Sequence, residues 1–169
     1  MKTLKEFLKK HNACEDGYLL AKDLTLEEFL NNCERGDWIL WLFARSNPRN
    51  KKLRTLIAGH CANTVRHLME NERSKEAVDM AIKYGEGKAT RKQLDAAYAA
   101  NAADCAAYAY AAATAADAAA YADAAANAAD VAADAAAYAA TTAAARKKNQ
   151  KLTADICRKY LPIEIWNIK

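Results

Sequence analysis

Between Asp95 and Ala145 the polar residues recur at helical spacing on a background of alanine, and no other side chains in the chain are so regularly arranged for binding. Tyr98, Asn101, Cys105 and Tyr108 fall on one helical face, and Tyr110, Thr114, Asp117 and Tyr121 fall on another, roughly opposite. Asp123, Asn127, Asp130, Asp134, Tyr138 and Thr141 return to about the first face. Tyrosine brings rigid, amphipathic contact area at low entropic cost, which suits it to a protein-binding face. Aspartate on a smooth alanine surface adds charged acceptors. Tyr121, Asp123, Asn127, Asp130, Asp134 and Tyr138 are therefore the candidate partner-binding residues. The competing explanation is solubility alone, since a helix of alanine must turn some polar residues to water. An ice-binding surface is the least supported reading, because such alanine-rich helices repeat Thr every eleven residues and here Thr falls at 114, 141 and 142.

A second chemistry is open to the arginines. A guanidinium binds phosphate in bidentate fashion, and an indole beside it stacks on a base. Arg45, Arg158 and Trp41 are the candidates for such a nucleotide site. Their competing role is to tie helix ends to the acidic tract through ion pairs. No catalytic constellation is visible, with neither a nucleophile-base order nor a Gly-rich phosphate loop, so the chain is read as a non-enzyme. Gly85-Glu-Gly-Lys88 lacks the spacing and preceding strand of a P-loop and reads as a turn. His60 and His67 stand two helical turns apart with no ligating residue between them, so neither a metal nor another cofactor is expected. The five cysteines are scattered, form no C-x-x-C pair and read as reduced packing thiols.

The elements that must position these residues are all helical. Thr3-Leu-Lys-Glu6 and Thr25-Leu-Glu-Glu28 are capping boxes that open short helices, the first through Lys10 and the second to Cys33. The apolar run Trp38 to Phe43 fits a buried helix with Asp37 as N-cap, ended by Ser46-Asn-Pro48. Leu53, Leu56, Ile57, Cys61, Thr64, Val65 and Leu68 recur at three- and four-residue steps and predict a helix from Lys51 to Glu70. Ala77, Val78, Ala81 and Ile82 predict a helix from Ser74 to Tyr84 with Gly85 as its C-terminal cap. Thr90 opens the alanine-rich tract, in which 33 of the 51 residues from Asp95 to Ala145 are alanine and none is Lys, Arg, Glu, Gly or Pro. Alanine has the highest helix propensity, so the tract is helical. Unbroken to Lys148, it would extend about 90 Å at 1.5 Å per residue, too long for a compact domain. A break between Tyr108 and Asp123 is expected, giving antiparallel helices whose alanine faces meet closely.

The fold expected is an all-α multi-helix bundle in a single domain of residues 1–169. It comprises an N-terminal helical part (1–88), alanine-rich helices (89–150) and a C-terminal helix and tail (151–169). Alanine buries little area, so the core must come from the larger apolar residues before 95 and after 150. The net charge of +4 divides into +5 for residues 1–94, −6 for 95–145 and +5 for 146–169. This asymmetry points first to internal complementarity and then to a charged partner surface. Arg146, Lys147, Lys148 and Lys151 fall where cations favour the C-terminal end of a long helix, so nucleic acid is not an expected partner. Asp and Asn interrupt the alanine tract too often for a membrane span, and no secretory h-region follows Met1, so a cytoplasmic protein is expected. Alanine faces can also pair across subunits, which allows a homo-oligomer.

Four segments in order resemble a family of bacterial immunity proteins: Thr25 to Glu28; Cys33-Glu-Arg-Gly-Asp-Trp38 through Arg45; Ala77 through Thr90; and Ala154-Asp-Ile-Cys-Arg158 through Pro162. These are the immunity-five-like domains associated with polymorphic toxin systems. The resemblance spans nearly the whole chain and is most specific at Gly36-Asp-Trp38 and Ala154-Asp-Ile-Cys-Arg158. It implies an inhibitor that binds a toxin or defence effector protein, or, in a phage-borne relative, an anti-defence protein that blocks an effector or sequesters a nucleotide signal. It carries over no active-site residues.

Overall fold

The computed structural model describes residues 3–69, 71–107 and 143–168; of residues 102–107 and 143–146 it describes the backbone. Among them are eight α-helices and no strand: α1 (Leu4–Lys10), α2 (Glu15–Ala21), α3 (Leu26–Asn32), α4 (Gly36–Ser46), α5 (Lys51–Asn63), α6 (Glu72–Gly85), α7 (Arg91–Ala107) and α8 (Ala143–Tyr160). Short 3-10 turns follow α5 and α8, at Arg66–Leu68 and Ile163–Ile165. The protein is an all-α multi-helix bundle.

Both capping boxes form. The Thr3 hydroxyl accepts from the Glu6 N–H while the Glu6 carboxylate accepts from the Thr3 N–H, and Thr25 and Glu28 repeat the arrangement. Each satisfies two N–H groups that a helix start otherwise leaves bare. The Trp38–Phe43 run is helical, but Asp37 is not its N-cap. Arg35 holds that position without a side-chain cap, and Asp37 lies in the first turn, where its carboxylate takes both Nε and Nη2 of Arg35. The helix starts early because Gly36 lies against α8. A Cβ there would come within 2.5 Å of Thr153 Oγ1 and 2.6 Å of the Thr153 carbonyl carbon.

The principal core is built from both ends of the chain. Phe7 of α1, Phe29 of α3, Ile39, Leu42 and Phe43 of α4 and Ile57 of α5 close on Ala154, Cys157 and Leu161 from the C-terminal part. A smaller cluster joins Ala81 and Tyr84 of α6 to Leu94 of α7. Close packing of α5 on α6 changes two expectations. Gly85 is the last helical residue of α6 and no left-handed cap; the positive φ of 79° falls on Gly87. Gly85 is needed because a Cβ would stand 2.7 Å from the Leu56 Cα. The helix that begins at Lys51 ends at Asn63, short of Glu70, and Leu68 beyond it is 47% exposed. Its apolar face stops at Val65, where the chain must turn into α6.

The basic cluster at residues 146–151 also differs from expectation. α8 continues to Tyr160, so Lys147 and Lys148 lie far from its C-terminal end. Their charge there answers no helix C-terminus. The expected break between Tyr108 and Asp123 lies outside the described residues. No described helix is long and apolar enough to cross a membrane.

Candidate functional site

The described ends of the alanine-rich tract are α7 and α8, and both of these roots are fixed by specific contacts. The Thr90 hydroxyl accepts from the Gln93 N–H at 3.3 Å and the Gln93 side chain accepts from the Thr90 N–H at 2.8 Å, a third capping box that starts α7. One turn on, Leu94 is fully buried. Tyr98 packs on the same cluster, and burial pushes its phenol up to about 12. Further out, Ser74 Oγ donates to Asn101 Oδ1 at 2.9 Å and Arg73 Nη1 donates to the Ala100 carbonyl at 3.3 Å. At the other root, Thr64 Oγ1 donates to Asn149 Oδ1 at 2.9 Å, and Ala154 and Cys157 are fully buried.

These pairs also set direction. Ser74 meets Asn101 while Tyr84 meets Leu94, so α7 runs antiparallel to α6. The Gly59 and Gly85 contacts make α6 antiparallel to α5, and Thr64 to Asn149 with His60 to Tyr160 make α5 antiparallel to α8. α7 and α8 therefore run in opposite directions. Tyr121, Asp123, Asn127, Asp130, Asp134 and Tyr138 lie between them, outside the described residues.

The arginines of the nucleotide reading are placed far apart in role. Arg158 closes α3: its Nε donates to the Leu30 carbonyl at 2.7 Å and its Nη2 to the carbonyls of Asn31, at 3.5 Å, and Cys33. Its Nη1 donates to Asp155 at 2.7 Å. Four of the five N–H groups of this guanidinium are thus directed at protein oxygens. Three of the acceptors are the unsatisfied carbonyls of a helix end, where a cation is also favoured by the helix dipole. Arg45 is exposed, with its guanidinium carbon 5.8 Å from the ring centre of half-buried Trp41. Arg35 stands closer over Trp38, at 4.5 Å, while paired to Asp37.

Arg54 carries a feature that the heptad-like pattern of α5 concealed. It lies on the face of Ala58 and Cys61, is only 8% exposed, and its Nη2 donates to the Pro48 carbonyl at 3.4 Å. Its Nε is buried without a partner. The charge around it is one-sided, since Trp38 to Met69 includes no Asp or Glu in 32 residues.

Cys33, Cys61 and Cys157 are buried free thiols in the principal core, whereas Cys14 is exposed, contrary to a packing role. The contact with the Cys61 thiol, and then burial, holds the Cys157 thiol well above its usual range, and burial pushes Cys33 up as well. Such thiols are poor nucleophiles. The side chain of Cys105 lies outside the described residues. No group of three or more metal-ligating side chains is gathered among the described residues. No family model matches this chain, and neither does any curated protein or solved structure.

Proposed function

We propose that this protein is a non-enzymatic inhibitor that binds and neutralises a toxin or defence effector protein, using Tyr121, Asp123, Asn127, Asp130, Asp134 and Tyr138 of the alanine-rich tract. The observation that carries the reading is the anchoring of the tract at both roots, by Leu94, Tyr98 and Asn101 on one side and Asn149, Ala154 and Cys157 on the other. A polar face mounted on a folded body loses less conformational entropy on binding than one on a free tail. The order of segments that resembles immunity proteins supports the same class. Against a nucleotide site at Arg158 stands the use of that guanidinium as the cap of α3.

The test is co-expression with toxins and defence effectors, read as survival. The wild-type chain restores growth against its effector, and the Asp123→Ala/Asp130→Ala/Asp134→Ala variant, folded by circular dichroism, does not. Equal protection by that variant overturns the assignment of the surface. Protection lost in Arg45→Ala instead, with a nucleotide released from the purified wild-type protein, overturns the protein-directed reading in favour of nucleotide sequestration.

A further inference from the structure

We propose that the turn joining α4 to α5 is a binding site for a phosphoryl oxyanion, held by Arg54 and the backbone N–H groups of Lys52 and Leu53 in the first turn of α5, with Arg49 and Lys52 at its mouth. α5 is 13 residues long, opens with Asn50 at the cap position, receives no side-chain cap and has no acidic residue in its first turn. The start of such a helix concentrates unsatisfied N–H donors and a partial positive charge, which is what an oxyanion binds. A bare helix start would be a weak argument alone. Arg54 is the independent observation: it is more than nine-tenths buried, its Nη2 reaches back to Pro48 beside that start, and its buried Nε has no partner. A buried charged donor left unmatched is unfavourable, and an anion at the turn would satisfy it.

The surroundings select for negative charge. Arg45, Arg49, Lys51 and Lys52 bracket the turn, and no Asp or Glu occurs between Trp38 and Met69. Arg49 and Lys52 are exposed and free to swing onto a ligand, and Lys52 Nζ lies 5.8 Å from the Tyr84 ring centre. A phosphoryl group matches this set through three or more acceptor oxygens, of which the guanidinium fork can engage two. Free phosphate and the phosphate of a nucleotide share this chemistry. The site is independent of the protein-binding tract.

The experiment is a titration of the full chain, labelled with nitrogen-15, with inorganic phosphate and separately with adenosine monophosphate, against sodium chloride at matched ionic strength. Saturable movement of the Arg54 Nε–Hε signal together with the Lys52 and Leu53 backbone amides is expected with phosphate and not with chloride. The Arg49→Ala/Lys52→Ala variant, altered only at exposed positions, should require about tenfold more phosphate, the loss expected for charge-assisted hydrogen bonds. Arg54→Lys, folded by circular dichroism, should weaken binding further, since an ammonium cannot replace the fork. Adenosine monophosphate acting at lower concentration than phosphate identifies a nucleotide source, and equal concentrations identify recognition of the phosphoryl group alone. Unmoved Arg54, Lys52 and Leu53 signals, equal movement with chloride, or unchanged affinity in the double variant overturns the proposal.

Discussion

Arg158→Ala should destabilise the protein by about 2–3 kcal/mol without altering its fold. The guanidinium makes a 2.7 Å hydrogen bond to the Leu30 carbonyl, a contact to Cys33 and a long one of 3.5 Å to Asn31, all at the end of α3. A hydrogen bond from a charged donor contributes roughly 1.5–3 kcal/mol where it is sheltered. The side chain is 27% exposed, so two good bonds are discounted toward the lower value. The Asp155 pair at the surface adds no more than about 0.5 kcal/mol. Urea unfolding at pH 7 measures the loss, and in a chain of this size it corresponds to a fall in Tm of about 4–12 °C. Arg158→Lys should recover less than half, because one ammonium cannot span carbonyls presented by three residues. Asp155→Asn should stay within about 0.5 kcal/mol of wild type. If Arg158→Ala also stays within about 0.5 kcal/mol, the cap is not structural and Arg158 returns as a ligand candidate.

Further expectations concern packing and pH. Gly85→Ala would gain up to about 1 kcal/mol as an exposed helix position, yet here it should destabilise by about 2 kcal/mol or more, because the new methyl meets Leu56 backbone 2.7 Å away; the urea midpoint decides the sign. His60 shares a 3.0 Å hydrogen bond with Tyr160, and burial, with Lys159 adding to it, holds the imidazole below its ordinary 6.5. The unfolded chain then binds the proton more readily, so stability is complete above pH 6.5 and falls as pH drops from there through the folded value. His60→Gln should flatten that fall between pH 7.5 and 5, leaving the part that His11, lowered by burial and by Lys10 and Arg45, contributes.

The helix starts were legible because a capping box is a local device: Thr3 with Glu6 and Thr25 with Glu28 need only their own three-residue spacing. The core was legible for a different reason, since alanine supplies little buried area and only the two ends of the chain carry enough large apolar residues. What sequence alone hid depends on contacts between distant segments. Gly36 opens α4 ahead of Asp37 because Thr153 lies against it, and Gly85 serves close approach to Leu56 in place of a left-handed cap. Arg158 showed its guanidinium in the sequence, but its acceptors are carbonyls more than 120 residues away, which no local pattern displays. Arg54 was hidden by its type, because an arginine in a basic run reads as surface until the burial of its Nε is seen.

The most direct test of the inhibitor account is the native mass of the protein isolated together with the effector whose toxicity it relieves. The account predicts a stable complex containing both chains, lost in the Asp123→Ala/Asp130→Ala/Asp134→Ala variant and retained in Arg45→Ala. A chain that relieves toxicity while running alone, with a nucleotide in its extract that disappears in Arg45→Ala, would contradict it.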